Sequence, residues 1–557
     1  MGFKTIMNWI LRRFILAVMA LAIMTLPPFV PNALALGTLP PFVPNPLPKT
    51  EAPKPNIIVI LADDLGYADL GYQGSKILTP NIDKLAKTGV QLESYYGLPL
   101  CTQARAALLT GRHPMRYGLQ TNVIFPGHDY GLPLDEVTLA EALKEVGYET
   151  AMVGKWHLGH AERYYWPNNR GFDHFYGNVV GEVDYNTKER AGVVDWQRNG
   201  EKLDIVAPED GYYTDLIGEE AVKLIHQHDQ SKPFFLYFSS LAPHTPLQAP
   251  PEDVAEYEAD DLFPGDENLD QRKYAAMITI LDEQVGYMLD ALEEEGMREN
   301  TLIYFSTDNG GIKQTKFSAP GGGDHAEEPP ASNAPFRGGK MTLYEGGVRV
   351  PAIVNWPAAQ FQKKKVNEPL HHVDIMPTLL ALAGVEGSPG HPFDGKNAWA
   401  TIAEGALSPH EDILINVEAY RGAIRKGNWK LIKYATLPGK TELFDLSQDK
   451  KEQNNVAWQH PDIVEYLEAR LVAYAKEQKF SEWLKTQPYF LDFEAQGQTN
   501  FDDDYWEVED DTPLDQIPVL PWPDKPTPLP AQPIENVAQE DFWDTIIQQI
   551  DKRYSTK

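Results

Sequence analysis

From residue 56 onward, short and wholly apolar runs alternate with longer stretches whose apolar residues recur every three or four positions. Asn56–Ala62 (NIIVILA), Pro233–Ser239 (PFFLYFS) and Thr301–Thr307 (TLIYFST) are apolar at consecutive positions. Such runs predict strands buried on both faces, as in a parallel sheet covered by helices. Tyr274, Ile278, Leu281, Val285, Leu289 and Leu292 fall on one face of a helix expected over residues 270–296. Thr79-Pro80 predicts a helix start, with Thr79 as N-cap and Gly89 as the stop. Thr138 and Glu141 have the spacing of a capping box, for a helix ending near Gly147. The alternation predicts an α/β fold with a large, mostly parallel sheet flanked by helices.

Past Ser408 the segments shorten. Asp412–Glu418, Gly422–Ile424, Trp429–Tyr434 and Glu442–Leu446 read as an antiparallel meander, followed by a helix over 461–479. The expected division is a main domain over 56–407 and a small α+β domain, an antiparallel sheet plus helix, over 408–486. Residues 487–557 form an acidic, proline-rich tail. At the other end, Lys4, Arg12 and Arg13 precede an apolar run of about 13 residues, too short to span a bilayer. Ala33-Leu34-Ala35 follows, so residues 1–35 read as a secretory signal peptide. Residues 36–55 form a proline-rich leader, which repeats TLPPFVPN from 25–32 at 38–45. The chain is thus expected to be exported, periplasmic or extracellular, without a membrane span once the leader is removed. The sequence contains no Asn-x-Ser/Thr site, which favours a bacterial source.

Charge and cysteine content narrow the function. Eighty acidic against 49 basic residues, a net charge of −31, exclude a nucleic-acid binder that needs a basic face. The single cysteine, Cys101, excludes intramolecular disulfides and cysteine-rich metal centres. In an exported chain, a lone cysteine marks a reactive group.

The chemistry collects at predicted strand ends. Strand 56–62 runs into Asp63 and Asp64, and strand 301–307 into Asp308 and Asn309. Strand 233–239 leads to His244, and an apolar segment at 150–153 leads to Lys155 and His157. In an open parallel sheet this edge is where ligands bind. Three carboxylates and an amide oxygen make an oxygen-only site suited to Ca²⁺ or Mg²⁺, and less to zinc. The neighbouring cationic residues suit an anion, and an anion between a divalent metal and Lys/His/Arg fits sulfuryl or phosphoryl transfer. Cys101 opens a helix-prone run that stops at Gly111, which places it at the positive end of the helix dipole. Arg105, four residues on, shares its face.

The run Cys101-Thr102-Gln103-Ala104-Arg105, ending in Leu109-Thr110-Gly111-Arg112, resembles the signature of type I, formylglycine-dependent sulfatases. The resemblance continues through Gly154-Lys155-Trp156-His157-Leu158-Gly159, Arg170-Gly171-Phe172-Asp173 and Pro243-His244-x-Pro246-Leu247-Gln248. It goes on through Thr307-Asp308-Asn309-Gly310-Gly311, Arg337-Gly338-Gly339-Lys340 and Glu345-Gly346-Gly347-Val348-Arg349, covering roughly residues 56–480. Gly118-Leu119-Gln120, Pro133-Leu134-Asp135-Glu136 and Gly181-x-x-Asp184-Tyr185 look closest to the arylsulfatase B branch, which acts on N-acetylgalactosamine 4-sulfate groups.

The resemblance implies an alkaline-phosphatase-like fold and hydrolysis of a sulfate ester on a sulfated carbohydrate or an aryl sulfate. It implies that a formylglycine-generating enzyme converts Cys101 to formylglycine (3-oxoalanine). Asp63, Asp64, Asp308 and Asn309 would hold Ca²⁺ together with the oxygen at position 101. Arg105 would steady the formylglycine hydroxyl, and His157 would take a proton in the step that releases sulfate. His244 and Lys340 would bind sulfate and help the leaving oxygen depart, and Lys155 would bind a sulfate oxygen. The sequence departs from the signature at Gln103, where the family has Pro or Ala, and at Ala104, where Ser is frequent. Two alternatives stay open beside this: a sulfatase-fold glycan-binding protein with an inert thiol, and a phosphoester or phosphonate-ester hydrolase on the same fold.

Overall fold

A computed structural model describes residues 54–203, 211–259, 263, 268–313, 330–435 and 439–487. The expected signal peptide, all but the end of the leader, and the tail beyond Gln487 lie outside the described residues.

The three apolar runs form adjacent strands at the centre of a ten-stranded mixed sheet. Asn56–Ala62 lies in the middle, parallel to Thr301–Thr307 on one side and to Phe234–Ser239 on the other. Glu149–Lys155 and His174–Asn178 extend the parallel set. Ala352–Asn355 runs antiparallel beside Thr301–Thr307, and Gln197–Arg198 runs antiparallel beside His174–Asn178. The sheet is therefore mixed but mostly parallel at its core.

Consecutive apolar residues are explained by two covered faces. Ile58, Ile60 and Ala62 pack with helices Tyr213–Gln227 and Leu269–Glu294, whereas Ile57, Val59 and Leu61 pack with Cys101–Thr110, Leu139–Glu145 and Ile375–Leu382. The long helix keeps the expected face: all six periodic residues are buried. The capping box at Thr138 and Glu141 is formed in both directions. At Pro80–Thr88 the expectation changes. Thr79 occupies the N-cap position, but its hydroxyl donates to Asp83 at 3.0 Å and does not cap the helix. Asp282, from the long helix, accepts from Ile82 N–H at 2.7 Å and Asn81 N–H at 3.1 Å instead. Burial raises the Asp282 carboxyl to about 6, against the pull of those same hydrogen bonds.

Four antiparallel strands in sequence order, Ile413–Glu418, Arg421–Lys426, Trp429–Tyr434 and Lys440–Asp445, form the second sheet. One face, with Leu414, Ile424, Leu431 and Leu443, packs on helix Pro461–Lys476. The other, with Ile413, Ile415, Ile432 and Phe444, packs on Tyr96, Leu343, Tyr344 and Val348. This second face meets the segment that carries Lys340. No helix among the described residues is long and apolar enough to cross a membrane.

Candidate active site

Parallel strands that start in register end in register, so residues that follow them meet at one edge. Asp63 and Asp64 leave the central strand, and Asp308 and Asn309 leave its neighbour on one side. Lys155 ends a strand on the other side, and His244 follows Phe234–Ser239 after a short turn. Cys101 is the first residue of helix Cys101–Thr110, which ends on Gly111 in the left-handed conformation. All ten residues of that helix are buried, and Ala106, Leu108 and Leu109 pack with Ile57, Val59 and Leu61 of the central strand.

The contacts are dense. Cys101 Sγ lies 3.4 Å from Asp63 Oδ1. Lys155 Nζ pairs with Asp63 Oδ2. Arg105 reaches Asp308 Oδ2 at 3.0 Å and Asp63 Oδ1 at 3.5 Å, and it also bonds Ser239 Oγ. Asp64 N–H donates to Asp308 Oδ1 at 3.2 Å. Lys340 Nζ donates to Asp64 Oδ2 at 2.8 Å and to His244 Nε2 at 3.0 Å. His244 Nδ1 donates to Thr245 O at 2.7 Å, so its neutral tautomer carries the proton there and keeps Nε2 as acceptor. Glu182 Oε2 stands 3.4 Å from the same Nδ1.

His157 adopts a left-handed backbone, φ 60°. Its Nε2 donates to Ile124 O at 3.2 Å, which leaves Nδ1 as a buried lone pair without a partner. A Cβ on residue 181 would fall 2.5 Å from the imidazole, so glycine is required beneath His157. Gln248 donates to Asp184 at 2.6 Å and accepts from Tyr185 N–H at 2.9 Å. Tyr185 OH donates to Leu241 O and His244 O at 2.8 and 2.9 Å. These motif residues brace the loop that carries His244. Arg170 acts elsewhere: it ties Leu132 O, Glu136 O and Glu141 together beneath the capping box.

The electrostatics follow from burial and pairing. Three buried carboxylates face two buried cations, Arg105 and Lys155, and the nearly buried Lys340. Burial opposes the charge on Asp64, but Lys340 and His244 outweigh it and hold its carboxyl low. Burial lowers the imidazolium of His244 to about 3, with Lys340 adding to the effect. Burial also pushes His157 well down, Lys155 and Arg105 assisting. It pushes the Cys101 thiol well up, beyond what Lys155 and Lys340 restore.

For a divalent cation the donors fit. Ligand atoms of Asp63, Asp64, Cys101 and His244 lie within 4.8 Å of one another. Asn309 Nδ2 donates to Asp64 Oδ1 at 2.7 Å, and its own Oδ1 is buried without a partner. An orphaned amide oxygen beside anionic oxygens is what a hard cation satisfies. His244 also falls within this cluster, with Nε2 at 3.5 Å from Asp64 Oδ2, and Asp308 lies beside it, Oδ2 held by Arg105 at 3.0 Å and Oδ1 accepting from Asp64 N–H at 3.2 Å.

The family model "Sulfatase" matches residues 55–385, and a second, "N-sulphoglucosamine sulphohydrolase, C-terminal", matches residues 339–477. The chain belongs to the sulfatase family. Mouse arylsulfatase J is 38% identical over 380 residues, which cover 68% of this chain and 60% of that protein. The chain thus spans about three fifths of that relative. An uncharacterized sulfatase of Schizosaccharomyces pombe is 30% identical over 529 residues, covering 77% of this chain and 95% of its own length. Among solved structures, Ps i-CgsB in complex with k-i-k-neocarrahexaose superposes with a TM-score of 0.69 at 31% identity, covering 81% of this chain and 99% of that one. The matches extend across several sulfatases, so they establish the family and not the arylsulfatase B branch.

The ten residues expected from the sequence come together at this edge. Two further residues, Ser239 and Glu182, support Arg105 and His244 and were not among the expected ones. Ser239 carried a faint signal as the polar last residue of an apolar strand. Glu182 carried none, because its role depends on a loop folding back onto His244.

Proposed function

We propose that this sulfatase-family chain is a sulfuric ester hydrolase that removes sulfate from a sulfated carbohydrate, using formylglycine made from Cys101 and a calcium ion. The observation that carries the reading is the charge count around Cys101. Three carboxylates against three cations leave the pocket neutral, so a divalent cation would give it a charge of about +2, which attracts the singly charged sulfate ester and the sulfate dianion it releases. Asp63, Asp64, Asp308 and Asn309, with the side chain at position 101, would hold the ion, and His244 stands close enough to face it. Bound calcium would supply positive charge against sulfate oxygens, and the hydrated aldehyde at position 101 would supply one hydroxyl to take the sulfuryl group and another to release it.

The chain's own groups do the rest. Lys155 and Lys340 each donate to sulfate oxygens while keeping their carboxylate partners. Lys340 Nζ, which donates to His244 Nε2, supplies the hydrogen toward the leaving oxygen, and His244, held by Thr245 O and Glu182, steers that ammonium. His157 offers its unpartnered Nδ1 as a proton acceptor. Arg105 locks Asp63 and Asp308 so that the group at position 101 meets a fixed wall. The ring of buried side chains excludes bulk water, which strengthens each of these interactions.

The likeness to a structure holding a hexaose favours an oligosaccharide as natural substrate, and the arylsulfatase B resemblance favours an N-acetylgalactosamine 4-sulfate group. Export behind a cleaved leader and maturation by a formylglycine-generating enzyme belong to the same reading. So does the division into a catalytic domain over 56–407 and a C-terminal domain over 408–486. The test is the mass of the Cys101 peptide from the native host, with aryl sulfate turnover before and after calcium chelation. The reading expects an aldehyde at position 101, turnover lost on chelation, and no turnover in Cys101→Ala. A plain thiol with no sulfate release overturns it.

A further inference from the structure

Lys340 sits in a tight turn, Gly339-Lys340-Met341-Thr342, closed by a hydrogen bond from Thr342 N–H to Gly339 O at 3.0 Å. The third residue, Met341, has φ 73°. A type II turn demands positive φ there, and glycine or asparagine meets the demand at lower cost than methionine. Such strain persists only where the surroundings over-determine it. Both polar atoms of Met341 are engaged. Its N–H donates to Pro99 O at 2.8 Å, two residues before Cys101. Its carbonyl accepts from Arg421 Nη1 at 2.6 Å. Lys340 N–H donates to Gly311 O at 3.1 Å, just past Asp308-Asn309. The turn is therefore held from three sides: the Cys101 loop, the Asp308 loop and the C-terminal sheet.

Arg421 is the only one of these holds that uses a side chain. It opens strand Arg421–Lys426, its side chain is 11% exposed, and its Nε pairs with Glu418 across the hairpin. Its partners are a carboxylate of its own sheet and a backbone carbonyl next to Lys340.

We propose that Arg421 is a positioning residue for Lys340. Its hydrogen bond to Met341 O holds the strained turn so that Lys340 Nζ stands between Asp64 Oδ2 and His244 Nε2, at 2.8 and 3.0 Å. The C-terminal sheet thereby sets the anion pocket without placing a side chain in it. What Lys340 binds rests on the sulfatase reading above, whereas the geometry does not.

The experiment compares Arg421→Ala, Arg421→Lys, Lys340→Ala and the Lys340→Ala/Arg421→Ala pair in the full chain. Readouts are the inhibition constant of inorganic sulfate, KM and kcat for an aryl sulfate, and the thermal midpoint. Arg421→Ala is expected to raise KM and the sulfate constant roughly tenfold, since misplacing a binding group by a fraction of an ångström is costly. Arg421→Lys recovers part of the loss. The pair is no worse than Lys340→Ala alone, because both act through one ammonium. Losses that add in the pair, or an unchanged sulfate constant in Arg421→Ala, overturn the proposal. Arg421→Ala also strands Glu418, so Arg421→Ala/Glu418→Gln removes that carboxylate and is expected to keep the raised constant. A crystal structure of Arg421→Ala separates this proposal from the sulfatase reading. A turn left in place, with Lys340 still on Asp64, refutes the positioning role whatever the chain hydrolyses. A displaced turn in a chain that cleaves no sulfate ester counts against the sulfatase reading alone.

Discussion

Single residues in this chain are defined by what burial does to them. His113 is 7% exposed, and its Nδ1 has no partner. It packs edge-on against His371, ring centroids 5.0 Å apart, in a cavity of about 40 Å³ also lined by Asp394, His410 and Asp412. Burial lowers the His113 imidazolium from 6.5 to about 4, with Arg116 and His410 lowering it further and Asp394 and Asp374 opposing. His371 is pushed well below its ordinary value by burial and by the neighbouring histidines. The folded chain therefore refuses a proton that the unfolded chain accepts between pH 6.5 and 4. Stability present above pH 6.5 is lost as the pH falls through that window, by on the order of 3 kcal/mol for His113 alone. Urea titrations of wild type and His113→Asn across that range check this: the variant should show the shallower pH slope. In the sequence His113 was only the residue after Gly111-Arg112, since a histidine's neighbours in space are not its neighbours in the chain. Cys101 differs. Its position at the head of a helix, four residues before Arg105, was legible at once because both sit on one helical turn.

Elements were legible where both their pattern and their ends are local. The strands at 56–62 and 301–307 end where their apolar runs end, and the capping box at Thr138 is written within four residues. Thr138 Oγ1 accepts from Glu141 N–H at 3.1 Å, Glu141 accepts from Thr138 N–H at 2.7 Å, and the hydroxyl also donates to Arg170 O at 2.9 Å. Thr138→Ala should cost about 1–2 kcal/mol, read as a drop in the denaturant midpoint with the slope unchanged. The helix at 80–88 shows the limit. Its N-terminal amides are capped by Asp282, some two hundred positions away, so Thr79 looked sufficient when only local partners were in view. The closing helix was expected to reach residue 479 but ends at Lys476. Apolar periodicity says little about the last turn of a helix.

At the scale of the whole molecule, the two sheets are joined by buried charge. Lys430, on the C-terminal sheet, lies 2.9 Å from Glu345 and 2.9 Å from Glu452, with every side chain fully buried. Arg349 pairs with Glu345 at 3.1 Å, and Tyr96 donates to it at 3.0 Å. Burial raises Glu452 to about 7 while Lys430 pulls the other way, and Lys430 and Arg349 bring Glu345 down to about 2 against the burial cost. Removing the shared cation leaves two buried carboxylates without it, so Lys430→Met should destabilise by about 3–5 kcal/mol, visible as a lower thermal midpoint. The sequence by itself determined the α/β plan, the strands that deliver Asp63, Asp64, Lys155, His244, Asp308 and Asn309 to one edge, and the family. It could do so because strand burial and strand ends are encoded in runs of adjacent residues. Only the tertiary structure decided that Lys155 is paired with Asp63, that Asn309 Oδ1 is orphaned, and that Lys340 hangs on a strained turn held by Arg421. Those facts depend on distances between loops far apart in the chain. Such distances follow from the order of strands within the main sheet and from how the second sheet packs against its loops, which no single stretch of sequence encodes.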